Sequence, residues 1–177
     1  FEILPTFLIK ANVPTIASVK PYTPLELYGR DMYIREGCFN CHSQQIRPLR
    51  YETERYGEYS KPGESVYEHP FLWGSRRIGP DLAREGGKYP NLWHVRHFEN
   101  PRAVTAKSIM PAYAQFLTNT INFEQIQSRV DAMTMLGVPY GDAVTKAPEM
   151  ARAQAKSIAA AIKEQGGPDG LEDKEMV

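Results

Sequence analysis

The chain has 177 residues, with 21 Lys and Arg against 21 Asp and Glu, and therefore no formal net charge. Because it has no basic excess and no Lys/Arg-rich run, its composition argues against a nucleic-acid-binding protein. Fourteen prolines and 13 glycines favour a loop-rich fold, and two cysteines are too few for a disulfide framework.

The first 22 residues are predicted to form an extended N-terminal arm. The opening FEILPTFLIK is apolar, but it is too short to span a membrane, which takes about 20 apolar residues. It is either an arm packed on the domain or the exit end of a membrane helix that precedes the sequence. Residues 11–22 are predicted to be a linker, because Pro14 and Pro21 oppose a regular helix.

A helix is predicted to follow this arm. Thr23 can cap its N-terminus, Pro24 suits its first turn, and Glu26 completes a capping box. Gly37 is a good C-cap, so the helix leads directly into the two cysteines. Helical spacing predicts a buried stripe of Leu25, Tyr28 and Met32.

The motif CFNCH contains both cysteines, Cys38 and Cys41, followed at once by His42. A C-x-x-C pair can be a redox dithiol, but that use favours a βαβ context, and here a helix comes first. It can also be half of a zinc site, completed from the other histidines, His69, His94 and His97. The full C-x-x-C-H pattern is typical of covalent haem c attachment, with the histidine as an iron ligand. We favour haem because it uses every residue of the motif.

Residues 44–79 have no sustained periodicity and are predicted to form a long ordered loop, because their aromatic content argues against disorder. A tight turn, GPDL, follows at residues 79–82, where backbone is expected to lie along the haem edge. The Pro80 carbonyl could accept a hydrogen bond from His42 Nδ1, which would leave Nε2 for iron.

Three further helices are predicted, and no strand. The first lies in NLWHVRHFENP, and the last is the Ala-rich stretch from Ala147 to Gly166. Between them lies a helix capped by Asn122, with a buried stripe of Phe123, Ile126, Val130 and Met133. The polar residues 166–177 are predicted to be a flexible tail.

A haem iron needs a second axial ligand, which is usually methionine or histidine. Met110 is the preferred candidate, because it lies in the stretch KSIMPAY, where Pro111 disfavours helix. His94 and His97 are competing candidates. The other methionines are predicted to lie in helices or in the tail: Met32, Met133, Met135, Met150 and Met176.

The order of these elements resembles a class I cytochrome c domain: a capped helix, CFNCH, GPDL, HFENPR and then SIMP. The segments ILPTFLIKANVPTIASVKPYTPLELYGRDMYIREGCFNCHSQQIRPLRYETERYGEYSKPGE and GPDLAREGGKYPNLWHVRHFENPR are similar to the mono-haem subunit of cbb3-type cytochrome c oxidases, the FixO family. The likeness covers nearly the whole chain. It includes the tyrosine-rich loop, which a generic small cytochrome c lacks.

Residues and resemblance together predict an all-α, class I cytochrome c-like haem domain over residues 23–165. It carries the loop insertion 44–79, the arm 1–22 and the tail 166–177. The resemblance implies one covalent haem c, and it implies a calcium ion near haem propionates at a subunit boundary. Gly74 and Ser75 are the candidates for touching that ion.

The resemblance also implies an electron-transfer subunit that is not an enzyme by itself. Its partners would be a haem–copper catalytic subunit that reduces oxygen to water, a di-haem cytochrome c subunit and a soluble cytochrome c donor. It would lie at the bacterial inner membrane with its haem domain in the periplasm, held by an N-terminal helix outside this sequence. Two alternatives stay open: a free soluble periplasmic electron carrier, and a haem or zinc enzyme with an open metal site.

Overall fold

The structure, a computed structural model, describes residues 4, 8, 15–74 and 76–177. In these residues the chain is helical and forms no strand, which confirms the all-α prediction. The α-helices are α1 Pro24–Arg35, α2 Arg50–Tyr56, α3 Asn91–Glu99, α4 Pro101–Val104, α5 Glu124–Met135 and α6 Ala143–Glu164. Short 3-10 helices cover Cys38–Asn40, Pro62–Ser65 and Ala114–Leu117.

The chain divides into two compact units. We call Gly37–Arg84, with the N-terminal residues up to Pro21, the motif unit. We call Tyr22–Glu36 together with Glu85–Val177 the helical unit. The predicted arm lies mostly outside the described residues. Among the residues that the structure does describe, none of the helices has the length and apolar character needed to cross a membrane.

Helix α1 begins as its sequence predicts. Thr23 Oγ accepts a hydrogen bond from the Glu26 N–H at 3.3 Å, and the Thr23 N–H donates to Glu26 Oε2 at 2.8 Å, which completes the capping box. After the cap residue Glu36, Gly37 has a φ of +69°. This left-handed conformation suits glycine and turns the chain out of the helix. The predicted stripe is buried: Leu25, Tyr28 and Met32.

Helices α1, α5 and α6 pack on one another and form the core of the helical unit. Helix α5 begins at Glu124, so its N-cap is Phe123 and not the predicted Asn122, although Asn122 Oδ1 accepts from the Gln125 N–H at 3.3 Å. Its predicted stripe is buried: Phe123, Ile126, Val130 and Met133. Much of the buried face of α6 consists of small side chains: Ala143, Ala147, Ala151 and Ala155. The neighbouring helices can therefore approach α6 closely.

Helix α6 begins earlier than predicted. It starts at Ala143, but Lys146 has non-helical angles (φ −128°, ψ 18°), so two helical stretches meet just before Pro148. A proline ring disfavours helical backbone in the residues that precede it. The regular part of α6 therefore begins close to the predicted start, and its end near Gly166 agrees with the prediction.

The C-terminal residues 166–177 are packed, which does not agree with the predicted flexible tail. Leu171, Glu175 and Met176 are buried. The backbone pairs with the segment that precedes α5: the Ile121 N–H donates to the Asp173 carbonyl at 2.8 Å. The polar composition of this stretch concealed its buried residues.

One buried carboxylate anchors this C-terminal segment. Glu175 accepts hydrogen bonds from Tyr28 Oη at 3.1 Å, from both terminal nitrogens of Arg35 at 2.8 and 2.9 Å, and from Asn119 Nδ2 at 3.0 Å. The hydrogen bond from Arg35 is the largest influence on the pKa of Glu175, and the pKa is lowered overall although burial opposes it. Glu175 therefore stays ionised and holds the segment against α1.

Candidate functional site

The cysteine motif lies on a single turn of 3-10 helix. The N–H groups of Cys41 and His42 both donate to the Cys38 carbonyl, at 3.1 and 3.0 Å. Cys38 and Cys41 are half-buried, and neither forms a disulfide. The turn therefore presents two thiols and an imidazole from five consecutive residues, which is the arrangement that double thioether attachment requires.

His42 has a fixed orientation within the motif unit. Its Nδ1 lies 2.8 Å from the Pro80 carbonyl oxygen, so the hydrogen bond predicted from the sequence is present. Since a carbonyl only accepts, Nδ1 carries the proton, and Nε2 keeps the lone pair that a metal ion would bind.

Gly79 makes this orientation possible. A Cβ atom at this position would lie 2.6 Å from His42 Nδ1 and 2.7 Å from Nε2, well inside van der Waals contact. The Gly79 N–H also donates to the Cys41 carbonyl at 3.0 Å, which holds the GPDL turn against the motif. Only glycine fits between this backbone and the imidazole ring.

Met110 lies in the helical unit, where residues 108–113 have no regular secondary structure, as predicted. The segment is bonded to α3 on the C-terminal side of the methionine, and a local hydrogen bond holds the Met110 backbone. The Met110 N–H donates to Ser108 Oγ at 3.2 Å, and the Tyr113 N–H donates to the Phe98 carbonyl on α3 at 2.7 Å. Met110 is half-buried, so its thioether lies on a held segment rather than inside a helix.

The two competing histidines have packing contacts on α3. The His97 ring stacks on Trp93 with centroids 4.7 Å apart, and Trp93 stacks on Tyr89 at 4.1 Å. His94 meets Trp93 edge-on, and burial lowers its pKa, although Glu85 opposes the shift. Both histidine rings therefore pack against the Trp93 ring of the same helix.

The zinc alternative lacks a ligand set in the described part of the chain. Over residues 15–74 and 76–177, no group of three or more His, Cys, Asp or Glu side chains could hold a metal ion. A structural zinc site needs four such ligands.

Comparison with known proteins agrees with the resemblance. Residues 1–177 match the family described as cytochrome c oxidase, mono-haem subunit/FixO. The chain belongs to the FixO family. No curated protein matches the chain. Membership makes it a mono-haem cytochrome c subunit of a cbb3-type oxidase and a component of respiratory electron transport.

The FixO family implies a haem c, and the motif unit of this family member fits one. The glycine at position 79 leaves space beside the imidazole, and the Pro80 carbonyl fixes the tautomer that binds metal through Nε2. Cys38 and Cys41 stand on the same turn as His42. These residues supply the two thiols and one nitrogen ligand that the group requires.

The loop 44–79 of this FixO chain contains an element that sequence reasoning missed. Helix α2 lies inside it, and its Glu52 side chain is fully buried. Arg47 Nε donates to Glu52 Oε1 at 2.6 Å, and Arg77 Nε donates to the same oxygen at 3.0 Å. Burial alone would raise the pKa of Glu52, but the hydrogen bonds from the two arginines outweigh it and lower the pKa to about 2.

The calcium candidates are only partly within the described residues. The Gly74 carbonyl accepts a hydrogen bond from Arg77 Nη1 at 3.0 Å. Ser75 lies outside the described residues. Calcium binding at these two positions stays a prediction.

Proposed function

We propose that this chain relays single electrons through one haem c towards the haem–copper subunit of the oxidase. When bound, a haem c supplies one-electron chemistry between ferrous and ferric iron. The observation that carries the proposal is the His42–Pro80 hydrogen bond beside Gly79, within one unit that also contains both thiols. Cys38 and Cys41 would hold the group covalently, and His42 Nε2 would bind its iron.

Met110 is proposed as the second axial ligand. The support is its position on an anchored, irregular segment, together with the packing roles of His94 and His97. With a thioether and an imidazole as ligands, the iron would have no open position, and its reduction potential would be raised. The task of the chain is then to hold both ligands and exclude water, with no general acid, base or nucleophile.

Met110→Ala tests this assignment. The purified wild-type chain is expected to show a c-type haem spectrum with the weak red Met–iron band. The variant is expected to lose that band, to have a lower reduction potential and to bind carbon monoxide when reduced, because the sixth position opens.

Met135→Ala is the matched control for Met110→Ala, since Met135 is 88% exposed at the end of α5. It should leave band and potential unchanged. A Met110→Ala chain that keeps the red band would refute the ligand assignment, and a wild-type chain without a haem c spectrum would refute the function.

The loop 44–79 is proposed to dock on the catalytic subunit. Phe71 and Trp73 stack with centroids 4.7 Å apart, yet both remain exposed. Exposed aromatic rings of this kind are enriched in the centres of protein interfaces. Helix α2 and the Glu52 cluster, which consists of Arg47, Glu52 and Arg77, give the loop a defined shape before it binds a partner.

Phe71→Ser in the full oxidase tests the docking proposal. Losing the burial of one phenylalanine is expected to weaken assembly by about tenfold or more, as measured by recovery of the catalytic subunit with a tagged chain. Leu136→Ser is the control, because Leu136 is 54% exposed and Phe71 53%. Equal recovery with both variants would contradict docking through this loop.

The location follows from the same proposal. Membership of an oxidase family indicates association with a membrane, and we propose that the haem-bearing part faces the periplasm, beside the di-haem subunit and a soluble cytochrome c donor. Protease added to intact spheroplasts should cleave the chain; complete protection would contradict the periplasmic side.

A further inference from the structure

The residue after Pro80 is a buried carboxylate that bonds through both of its oxygens. Asp81 is 1% exposed. Its Oδ2 accepts from Ser43 Oγ at 2.5 Å and from the Gln45 N–H at 3.0 Å. Its Oδ1 accepts from the Ala83 N–H at 2.8 Å. Three donors on one buried carboxylate define its position closely.

The hydrogen bonds of Asp81 join the segment that follows His42, the proposed iron ligand, to the segment that follows Pro80, whose carbonyl orients the His42 ring. Ser43 follows His42 directly, as Asp81 follows Pro80. Two backbone hydrogen bonds flank this connection: the Gly79 N–H donates to the Cys41 carbonyl at 3.0 Å, and the Leu82 N–H donates to the Ser43 carbonyl at 2.9 Å.

Backbone bonds alone leave a gap in the middle of this pairing. Proline has no N–H, so Pro80 cannot donate to the motif. The Asp81 N–H is directed elsewhere, to Tyr56 Oη at 3.2 Å. The Asp81 side chain therefore supplies the connection that residue 80 cannot make. Arg77 Nη1, 3.8 Å from Asp81 Oδ2, balances its charge.

We propose that Asp81 is a positioning residue, whose bond to Ser43 holds the Pro80 carbonyl on His42 Nδ1 and so sets how strongly the imidazole donates to iron. The inference rests on the proposed function, because it requires His42 to be the iron ligand. A strong hydrogen bond from Nδ1 makes the ring a better donor, which favours ferric iron. If the Pro80 carbonyl is held less firmly, the hydrogen bond from His42 Nδ1 weakens, and ferrous iron is favoured.

Asp81→Asn in the complete haem-loaded chain is the main test. An asparagine keeps the shape but places an amide N–H₂ where one oxygen accepts hydrogen bonds. The equilibrium constant for reduction of the haem is expected to rise about two- to tenfold, which corresponds to the free energy of one hydrogen bond. The Nδ1–H resonance of His42 in the reduced protein is expected to move upfield, while the haem stays covalently attached.

Ser43→Ala is the second variant, because it removes one donor and leaves the buried carboxylate with two. Ser43→Ala should shift the reduction potential and the Nδ1–H resonance in the same direction as Asp81→Asn, but by less. The double variant should resemble Asp81→Asn alone, because both substitutions act on the hydrogen bond between Ser43 and Asp81. Asp142→Asn, at an exposed carboxyl in the helical unit, is the control and should change neither.

The outcomes separate the two proposals. If Asp81→Asn folds with its haem but potential and resonance match wild type, the positioning role is overturned. If Asp81→Asn does not fold, Ser43→Ala decides in the same way. If the wild-type chain carries no haem bound by His42, the proposed function is overturned first, and the positioning role with it.

Discussion

Gly79→Ala is expected to lower the fraction of chain that carries a low-spin, His42-ligated haem by about tenfold. The added methyl would lie 2.6 Å from His42 Nδ1, so either the ring or the turn has to move. Overpacking of this kind costs about 1–3 kcal/mol, and about 1.4 kcal/mol corresponds to a factor of ten. The low-spin haem per mole of protein, taken from the optical spectrum, measures the effect.

Gly86→Ala is the matched control for this substitution. A Cβ at position 86 meets no other atom within 4 Å, so the same chemical change should leave the spectrum unaltered. If Gly79→Ala and Gly86→Ala give the same low-spin haem content, the contact between Gly79 and the imidazole does not matter for ligation.

Glu52→Ala is expected to destabilise the chain by about 1.5–3 kcal/mol, because it removes the buried carboxylate that accepts hydrogen bonds from two arginines. Arg77 also donates to the Gln45 and Gly74 carbonyls, so its displacement would loosen the loop at three points. Denaturant unfolding of the haem-loaded chain measures the change. Glu54→Ala, at an exposed carboxylate on the same helix, should cost no more than about 1 kcal/mol. Equal losses in the two variants would contradict the role of the cluster.

Acid titration gives a second measure of the same residue. The pKa of Glu52 is about 2 in the folded chain, against an ordinary value of 4.5. A carboxyl with a lowered pKa stabilises the fold above its unfolded pKa, and that contribution is lost as the pH falls towards the folded pKa. Between about pH 4.5 and pH 2, the free energy of unfolding of Glu52→Gln should therefore fall less than that of the wild-type chain.

Local signals in the sequence predicted what they physically control. The capping box at Thr23 and the buried stripe of α5 depend on residues three or four positions apart, and both are present. The His42–Pro80 hydrogen bond spans 38 positions, yet it was predictable because the motif and the turn each have a recognisable pattern.

Features held together by charge across the sequence were not predictable. Helix α2 has only seven residues and buries Glu52 rather than an apolar stripe, so it has no helical periodicity to detect. The partners of Glu52 include Arg77, which lies 25 positions further along the chain. Glu175 likewise finds Tyr28 at a separation of 147 positions. No local pattern marks a glutamate as buried when its partners lie so far along the chain.

The packing of α1 has a consequence for the order of events when the chain is made. Thr23 Oγ donates to Gln154, 131 positions later, and Tyr28 reaches Glu175. Helix α1 can therefore form these two hydrogen bonds only after almost the whole chain has been synthesised. Cys38 and Cys41 follow α1 directly, so they are synthesised long before the helical unit can close.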